Sequence, residues 1–147
     1  GCHALRPSDI TEFDNAASPS LFDDLVKVTG AKSIAWPLKL ECCGAPALGV
    51  NNELAMNLTE KKITDAKASG ADFICSACAY CQMQFDQVQP LMPSRPDLEH
   101  SLASIIYPQL LGLALGIDND ALGLSMNTLD ISAVESFIKV KEAEKQD

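Results

Sequence analysis

Six cysteines in three short groups constrain this chain of 147 residues more than any other feature of its sequence. The groups are Cys2, the vicinal pair Cys42 and Cys43, and the run of Cys75, Cys78 and Cys81. Because long spacers separate the groups, only a folded structure could bring them together. Clustered thiolates bind soft metals and iron–sulfur clusters, or exchange with disulfides. The pattern therefore predicts a metal site or a redox site.

A disulfide framework is an alternative, because the number of cysteines is even. Secreted disulfide proteins usually carry a signal peptide and more scattered cysteines, and the sequence shows neither pattern. Cys42 and Cys43 also suit such a framework badly, since a bond between neighbouring cysteines is strained. We therefore expect a protein of the reducing cytoplasm.

Charge and hydropathy exclude two classes of partner. The formal net charge of −9 argues against binding to nucleic acid, whose phosphates need a basic surface. No apolar run is long enough for direct membrane insertion. We expect protein partners and a single domain over residues 1–147. Because the chain opens at Gly1 and Cys2 follows at once, we expect it to be a fragment or subdomain of a longer polypeptide.

Helical and strand patterns alternate along the chain, with short connections. The strands are expected at Ser33–Trp36, Ala71–Ile74 and Ser104–Tyr107. Helices are expected from Ser18–Ser20 to Val28, from Asn52 to Ser69, from Ala79 to Val88, from Pro108 to Leu115, and around Val134–Lys141. The stretch Ser8–Ser18 is expected to be a loop, and Cys42–Pro46 a tight turn.

This alternation predicts an α/β fold with an open, mostly parallel sheet and helices on both faces. Ligands of such sheets bind beyond the carboxyl ends of the strands. Because Cys42–Cys43 and Cys75 follow predicted strands, we expect the cysteine site at that edge. Cys2 would join it if the residues before Gly1 formed a strand.

The spacing of five cysteines resembles that of a known family. A gap of 39 residues separates Cys2 from Cys42–Cys43, and a gap of 34 residues precedes Cys78-x-x-Cys81. With the flanking Cys-Cys-Gly-Ala and Cys-x-x-Cys-Gln-Met-Gln-Phe-Asp, this resembles the CCG cysteine-rich domain. That domain occurs, usually twice, in the B subunit of heterodisulfide reductase and in related oxidoreductase subunits. The resemblance covers nearly the whole chain and is greatest to the second, C-terminal copy.

The resemblance implies an oxidoreductase subunit that carries a non-cubane [4Fe–4S]-type cluster. Its ligands would be Cys2, Cys42, Cys43, Cys78 and Cys81. The cluster would transfer electrons to or from a disulfide or a related acceptor, and partner subunits would carry iron–sulfur clusters and flavin. The residues agree on one point: four thiolates complete an ordinary [4Fe–4S] cluster, so a fifth convergent cysteine requires something beyond a cubane.

Other interpretations remain open at this point. Four of the thiolates could form a structural zinc site in an interaction module that performs no redox step, or the thiols could act without metal. Cys75 is extra to the pattern, and we expect a buried core residue there, with a spare ligand as the alternative. His3 is expected beside the site, His100 on the surface, and Arg6 near the cluster's charge. Ala79 departs from the family, where proline is common.

Overall fold

The structure, a computed structural model, describes residues 5–92 and 101–134. Its α-helices are α1 (Ser8–Thr11), α2 (Leu21–Val28), α3 (Asn52–Ala68), α4 (Ala79–Gln87) and α5 (Tyr107–Ala114). The strands are β1 (Phe73–Ser76) and β2 (Ala103–Ile106). Short 3-10 helices occur at Ala45–Ala47, Gln89–Leu91 and Leu124–Met126.

Strands β1 and β2 form an open parallel sheet. The register runs from Phe73 opposite Ala103 to Ser76 opposite Ile106. Parallel strands need a crossover connection, and here α4 lies in the connecting chain. The predicted α/β class, with its parallel sheet, is confirmed.

Helices cover both faces of this sheet, because successive strand side chains point to opposite sides. On one side, Ile105 packs with residues of α2 and α5, and Phe73 and Cys75 lie against this first core. On the other side, Ile74 packs with residues of α3 and α4 in a second core. That second core also contains Cys43, so the cysteine turn is joined to the sheet by apolar packing.

Helix α3 begins and ends as its sequence predicts. The Asn51 side chain accepts a hydrogen bond from the Leu54 amide and caps the first turn. At the other end, Gly70 has a φ of +83°, and the Ala71 amide bonds back to the Ala66 carbonyl at 3.1 Å. These signals fix the helix that lies behind the cysteine turn.

The predicted strand at Ser33–Trp36 is wrong. These described residues form neither helix nor strand. The Ser33 hydroxyl donates to Asp23 of α2 at 2.7 Å, and the Leu38 amide donates to Asp65 of α3 at 2.8 Å. The segment is thus hydrogen-bonded to carboxylates of two helices instead of to a neighbouring strand, and Pro37 has no N–H to donate to one.

Two smaller expectations also change. Strand β1 continues to Ser76, so Cys75 lies within the strand and not after it. The expected loop at Ser8–Ser18 begins with the short helix α1.

Cys2, His3, His100 and most of the expected terminal helix lie outside the described residues. Within the described ranges we find no helix with the length and apolar character that a bilayer crossing requires.

Candidate functional site

Glycine is required in the Cys42–Cys43–Gly44 turn for two reasons. Gly44 has a φ of +96°, in the left-handed region that side chains rarely adopt. A Cβ atom there would also lie 2.4 Å from the Ala55 carbonyl oxygen and 3.0 Å from the Thr59 hydroxyl oxygen. The turn therefore lies directly against α3, and only glycine allows this approach.

Thr59 ties the cysteine turn to both neighbouring helices. Its hydroxyl oxygen lies 2.9 Å from the Cys43 carbonyl oxygen and 2.8 Å from the Ala55 carbonyl oxygen, which share its single proton. The same oxygen accepts a hydrogen bond from the side-chain amide of Gln84 in α4 at 2.8 Å. Thr59 and Gln84 are both buried. Their network fixes the Cys43 backbone relative to the helix that carries Cys81.

The Cys-x-x-Cys segment lies at the start of α4. Cys78 is the residue that precedes the helix, and its carbonyl oxygen accepts a hydrogen bond from the backbone amide of Gln82 at 3.0 Å. Cys81 then lies in the first turn. The side-chain oxygen of Gln82 accepts a hydrogen bond from the Ser104 hydroxyl of β2 at 2.7 Å. Its side-chain nitrogen donates to the Ser104 carbonyl oxygen at 3.0 Å. The helix start is thus anchored to the sheet.

The thiols of the two segments meet. A hydrogen bond from Cys81 lowers the pKa of Cys43 to about 6, although burial opposes this shift. The Ala45 amide and the positive charge of Lys62 act in the same direction as that hydrogen bond. The same hydrogen bond, together with burial and the neighbouring charges, raises the pKa of Cys81. The Gly44 amide lies 3.4 Å from the Cys42 sulfur. Cys43 and Cys81 therefore share one proton, with the negative charge favoured on Cys43.

Lys62 of α3 lies beside these thiols although it is only 7% exposed. Its ammonium group donates to three carbonyl oxygens of one turn, those of Leu38 at 2.9 Å, Lys39 at 2.8 Å and Glu41 at 2.7 Å. Its Nζ atom also lies 5.0 Å from the centre of the Trp36 ring. Burial lowers the pKa of Lys62, and the charges of Cys81, Cys43 and Cys42 oppose this effect.

A cavity of about 630 Å³ opens beside the thiols. Its volume lies within the range of ligand pockets, roughly 300–1,000 Å³. All five described cysteines contribute to its wall, as do Lys62 and Arg6. The described cysteines are all free. Within residues 5–92 and 101–134, no three Cys, His, Asp or Glu side chains gather as a site for one metal ion.

The structure places four of the five predicted ligands on the wall of the same cavity. Cys42, Cys43, Cys78 and Cys81 line one cavity, whereas Cys2 lies outside the described residues. The expectation that the whole set lies at the carboxyl edge of the sheet therefore stays a prediction. Cys75 also reaches the cavity wall, but it packs against the first core.

Sequence reasoning missed the residues that support the cysteines. Lys62 was not among the expected site residues, yet the structure buries it beside the thiols. Thr59 and Gln84 belong to no motif that points to the site. A signal existed for Thr59 and Lys62, because both share a helical face with Ala55 and Ala66. No such signal existed for Gln84, since α4 shows no apolar stripe.

Comparison with known proteins gives a family and several relatives. A family model described as the CCG cysteine-rich domain matches residues 1–86. The B subunit of ferredoxin:CoB-CoM heterodisulfide reductase from Methanosarcina mazei is 37% identical over 145 residues, which are 97% of this chain and 47% of that relative. The B subunit of a ferredoxin/F(420)H(2)-dependent CoB-CoM heterodisulfide reductase from Methanosarcina acetivorans has the same identity and coverage.

A third relative carries a different name. The 8-methylmenaquinol:fumarate reductase membrane anchor subunit of Wolinella succinogenes is 35% identical over 130 residues, covering 88% of this chain and 46% of the relative. The chain thus spans about half the length of the curated relatives it matches. Since the family match extends from the first residue through the Cys-x-x-Cys segment, this chain belongs to the CCG cysteine-rich domain family.

Proposed function

We propose that this chain is the iron–sulfur redox domain of an oxidoreductase similar to the B subunit of heterodisulfide reductase. It would bind a non-cubane [4Fe–4S]-type cluster through Cys2, Cys42, Cys43, Cys78 and Cys81. One observation carries the proposal: thiols from two segments, 34 residues apart in the chain, line a single cavity, and Cys43 is hydrogen-bonded to Cys81.

The donor set fits such a cluster. Iron–sulfur clusters are held by deprotonated cysteines, and the surroundings of Cys43 favour its thiolate. Vicinal Cys42 and Cys43 could hardly both bind one small tetrahedral ion, but they can reach different irons of a larger group. The amides of Gly44 and Ala45 approach the two sulfur atoms and can donate to them.

The bound cluster would supply the capacity to accept and release electrons. The chain itself would fix the sulfur ligands and keep their surroundings dry. Gly44 lets the vicinal cysteines lie against α3, and Thr59 and Gln84 hold the Cys43 backbone. Burial, charge and hydrogen bonds to sulfur are the features that set the potential of an iron–sulfur centre, and the protein controls each of them here.

The relatives suggest the physiological setting. We propose that the chain forms the C-terminal half of a subunit of twice its length, because it spans 47% of the first two relatives. Other subunits carrying iron–sulfur clusters and flavin would exchange electrons with it. The acceptor or donor would be a disulfide or thiol, and the site of action the cytoplasm.

Metal and sulfide analysis of anaerobically purified protein tests the proposal. We expect about four irons per chain with matching sulfide. One zinc ion without sulfide would instead identify a structural Cys₄ site and an interaction module. Reduced protein that takes up neither metal would point to thiol–disulfide chemistry.

A further inference from the structure

The buried ammonium group of Lys62 forms no ion pair with a carboxylate in the described part of the chain. The ion pairs found among the described residues join Lys27 to Asp24 and Lys39 to Asp23, and neither includes Lys62. A buried charge that is unpaired is costly, and its pKa shifts unless other groups compensate. The carbonyl oxygens of residues 38, 39 and 41 compensate in part, because they accept all three of its protons.

Those three hydrogen bonds also fix what Lys62 can do. An ammonium group has three donors, and all of them point to the backbone. None is left to donate to a sulfur atom, so any effect on the thiols is a through-space effect of charge. The titratable groups that face it are Cys81, Cys43, Cys42 and Glu41.

The position of Lys62 couples this charge to the geometry of the ligands. Three residues further along α3, the Asp65 carboxylate accepts a hydrogen bond from the backbone amide of Leu38 at 2.8 Å. The two side chains thus hold both ends of the Leu38–Glu41 turn, which leads directly into Cys42. The turn keeps the ammonium group in place, and the ammonium group keeps the turn against α3.

We propose that Lys62 supplies a fixed positive charge that raises the reduction potential of the centre held by these cysteines. This inference rests on the proposed function. Reduction by one electron adds one negative charge to the site. A positive charge held in a buried position stabilises the reduced state more than the oxidised one, because burial weakens solvent screening.

Redox titration of the reconstituted protein tests this role. The variants are Lys62→Met and Lys62→Gln, which remove the charge, and Lys62→Arg, which keeps it. Lys61→Met is the matched control, since Lys61 is the neighbouring residue on α3 and is exposed. The midpoint potential is followed by absorbance and electron paramagnetic resonance, with a thermal melt of each variant.

We expect both neutral variants to have a lower midpoint potential, such that the ratio of reduced to oxidised centre at a fixed ambient potential falls about tenfold, which is 59 mV for one electron. Lys61→Met and Lys62→Arg should keep the parent potential, even if Lys62→Arg melts at a lower temperature. Unchanged potentials in the neutral variants would overturn the proposal.

The outcome is separable from that of the proposed function. If the parent protein binds no iron and sulfide, the proposed function has failed before Lys62 is tested. If the neutral variants fold but take up no iron, the charge is needed to hold the anionic centre, and the role proposed here in setting its potential is contradicted. If they do not fold, Lys62→His decides, because histidine loses its positive charge as the pH rises. A midpoint potential that falls below that of the parent only at high pH supports a role of the charge, and one that follows the parent at every pH contradicts it.

Discussion

Cys43 lies in a turn and Cys75 in strand β1, and their surroundings act on the two thiols in opposite directions. Burial raises the pKa of Cys75 to about 12. Cys43 is only 6% exposed, yet its pKa is lowered to about 6. The difference shows that burial alone does not decide whether a cysteine can serve as a thiolate ligand.

Polar neighbours account for the difference. Cys75 packs against the first core, where its neighbours are apolar and its strand amides are engaged in the sheet. Cys43 receives a hydrogen bond from Cys81, faces the Ala45 amide and lies near the charge of Lys62. Turns expose backbone amides that strands use for pairing, so a turn can support a buried negative charge.

The largest effect should come from the cysteines themselves. We expect Cys43→Ala to lose most of the bound iron and sulfide, because one ligand and a shared hydrogen bond disappear. Cys75→Ala should keep the parent content, since an apolar site has no need of that thiol. Elemental analysis after anaerobic purification checks both. Loss of iron in Cys75→Ala would show that the sixth cysteine is a ligand.

The next effect concerns the turn that separates the two cases. Gly44→Ala combines a strained φ with a Cβ 2.4 Å from the Ala55 carbonyl oxygen. We expect it to lower the free energy of unfolding by about 3 kcal/mol. Gly49→Ala is the control, with a φ of +84° and nothing within 4 Å of its Cβ, and should cost about 1 kcal/mol. Equal losses in urea denaturation would refute the close approach.

A smaller loss should follow from the hydroxyl that holds the Cys43 backbone. Thr59→Val leaves the Cys43 carbonyl and the Gln84 amide without this buried partner. We expect a loss of about 2 kcal/mol in the free energy of unfolding. Thr64→Val, on the same helix and half-buried, should change it by less than about 0.5 kcal/mol. A neutral Thr59→Val would mean that the turn does not depend on this network.

The smallest signal should be a single thiolate in the reduced, metal-free protein. Because the pKa of Cys43 is lowered to about 6, its thiolate should form as the pH rises through 6 and disappear below it. Ultraviolet absorbance of the thiolate checks this. Cys43→Ala should abolish the step near pH 6, and Cys75→Ala should leave it unchanged. A first step only near the ordinary value of 9.0 would contradict the comparison.

The sequence predicted the elements whose signals are local. Helix α3, expected from Asn52 to Ser69, follows from its repeat of apolar positions and from Gly70 after it, and both ends match to within a residue. The meeting of the Cys42–Cys43 and Cys78–Cys81 segments was also expected from the resemblance to the CCG domain, and thiols of both segments line one cavity.

What the sequence could not predict depends on distant partners. Lys62 is buried only because the carbonyls of residues 38, 39 and 41 surround its ammonium group. Likewise, Ser33–Trp36 has the apolar character of a strand, but Asp23 and Asp65 hold the chain around it. Periodicity describes one element at a time and contains no information about such contacts.

X-ray absorption of the anaerobically purified protein at the iron and zinc edges is the most direct test of the central claim. We expect an iron edge with sulfur neighbours and iron–iron scattering, since the cysteines would hold several irons together. This signal should be lost in Cys43→Ala and retained in Cys75→Ala. A zinc edge with four sulfur neighbours at about 2.3 Å, and no iron, would contradict it.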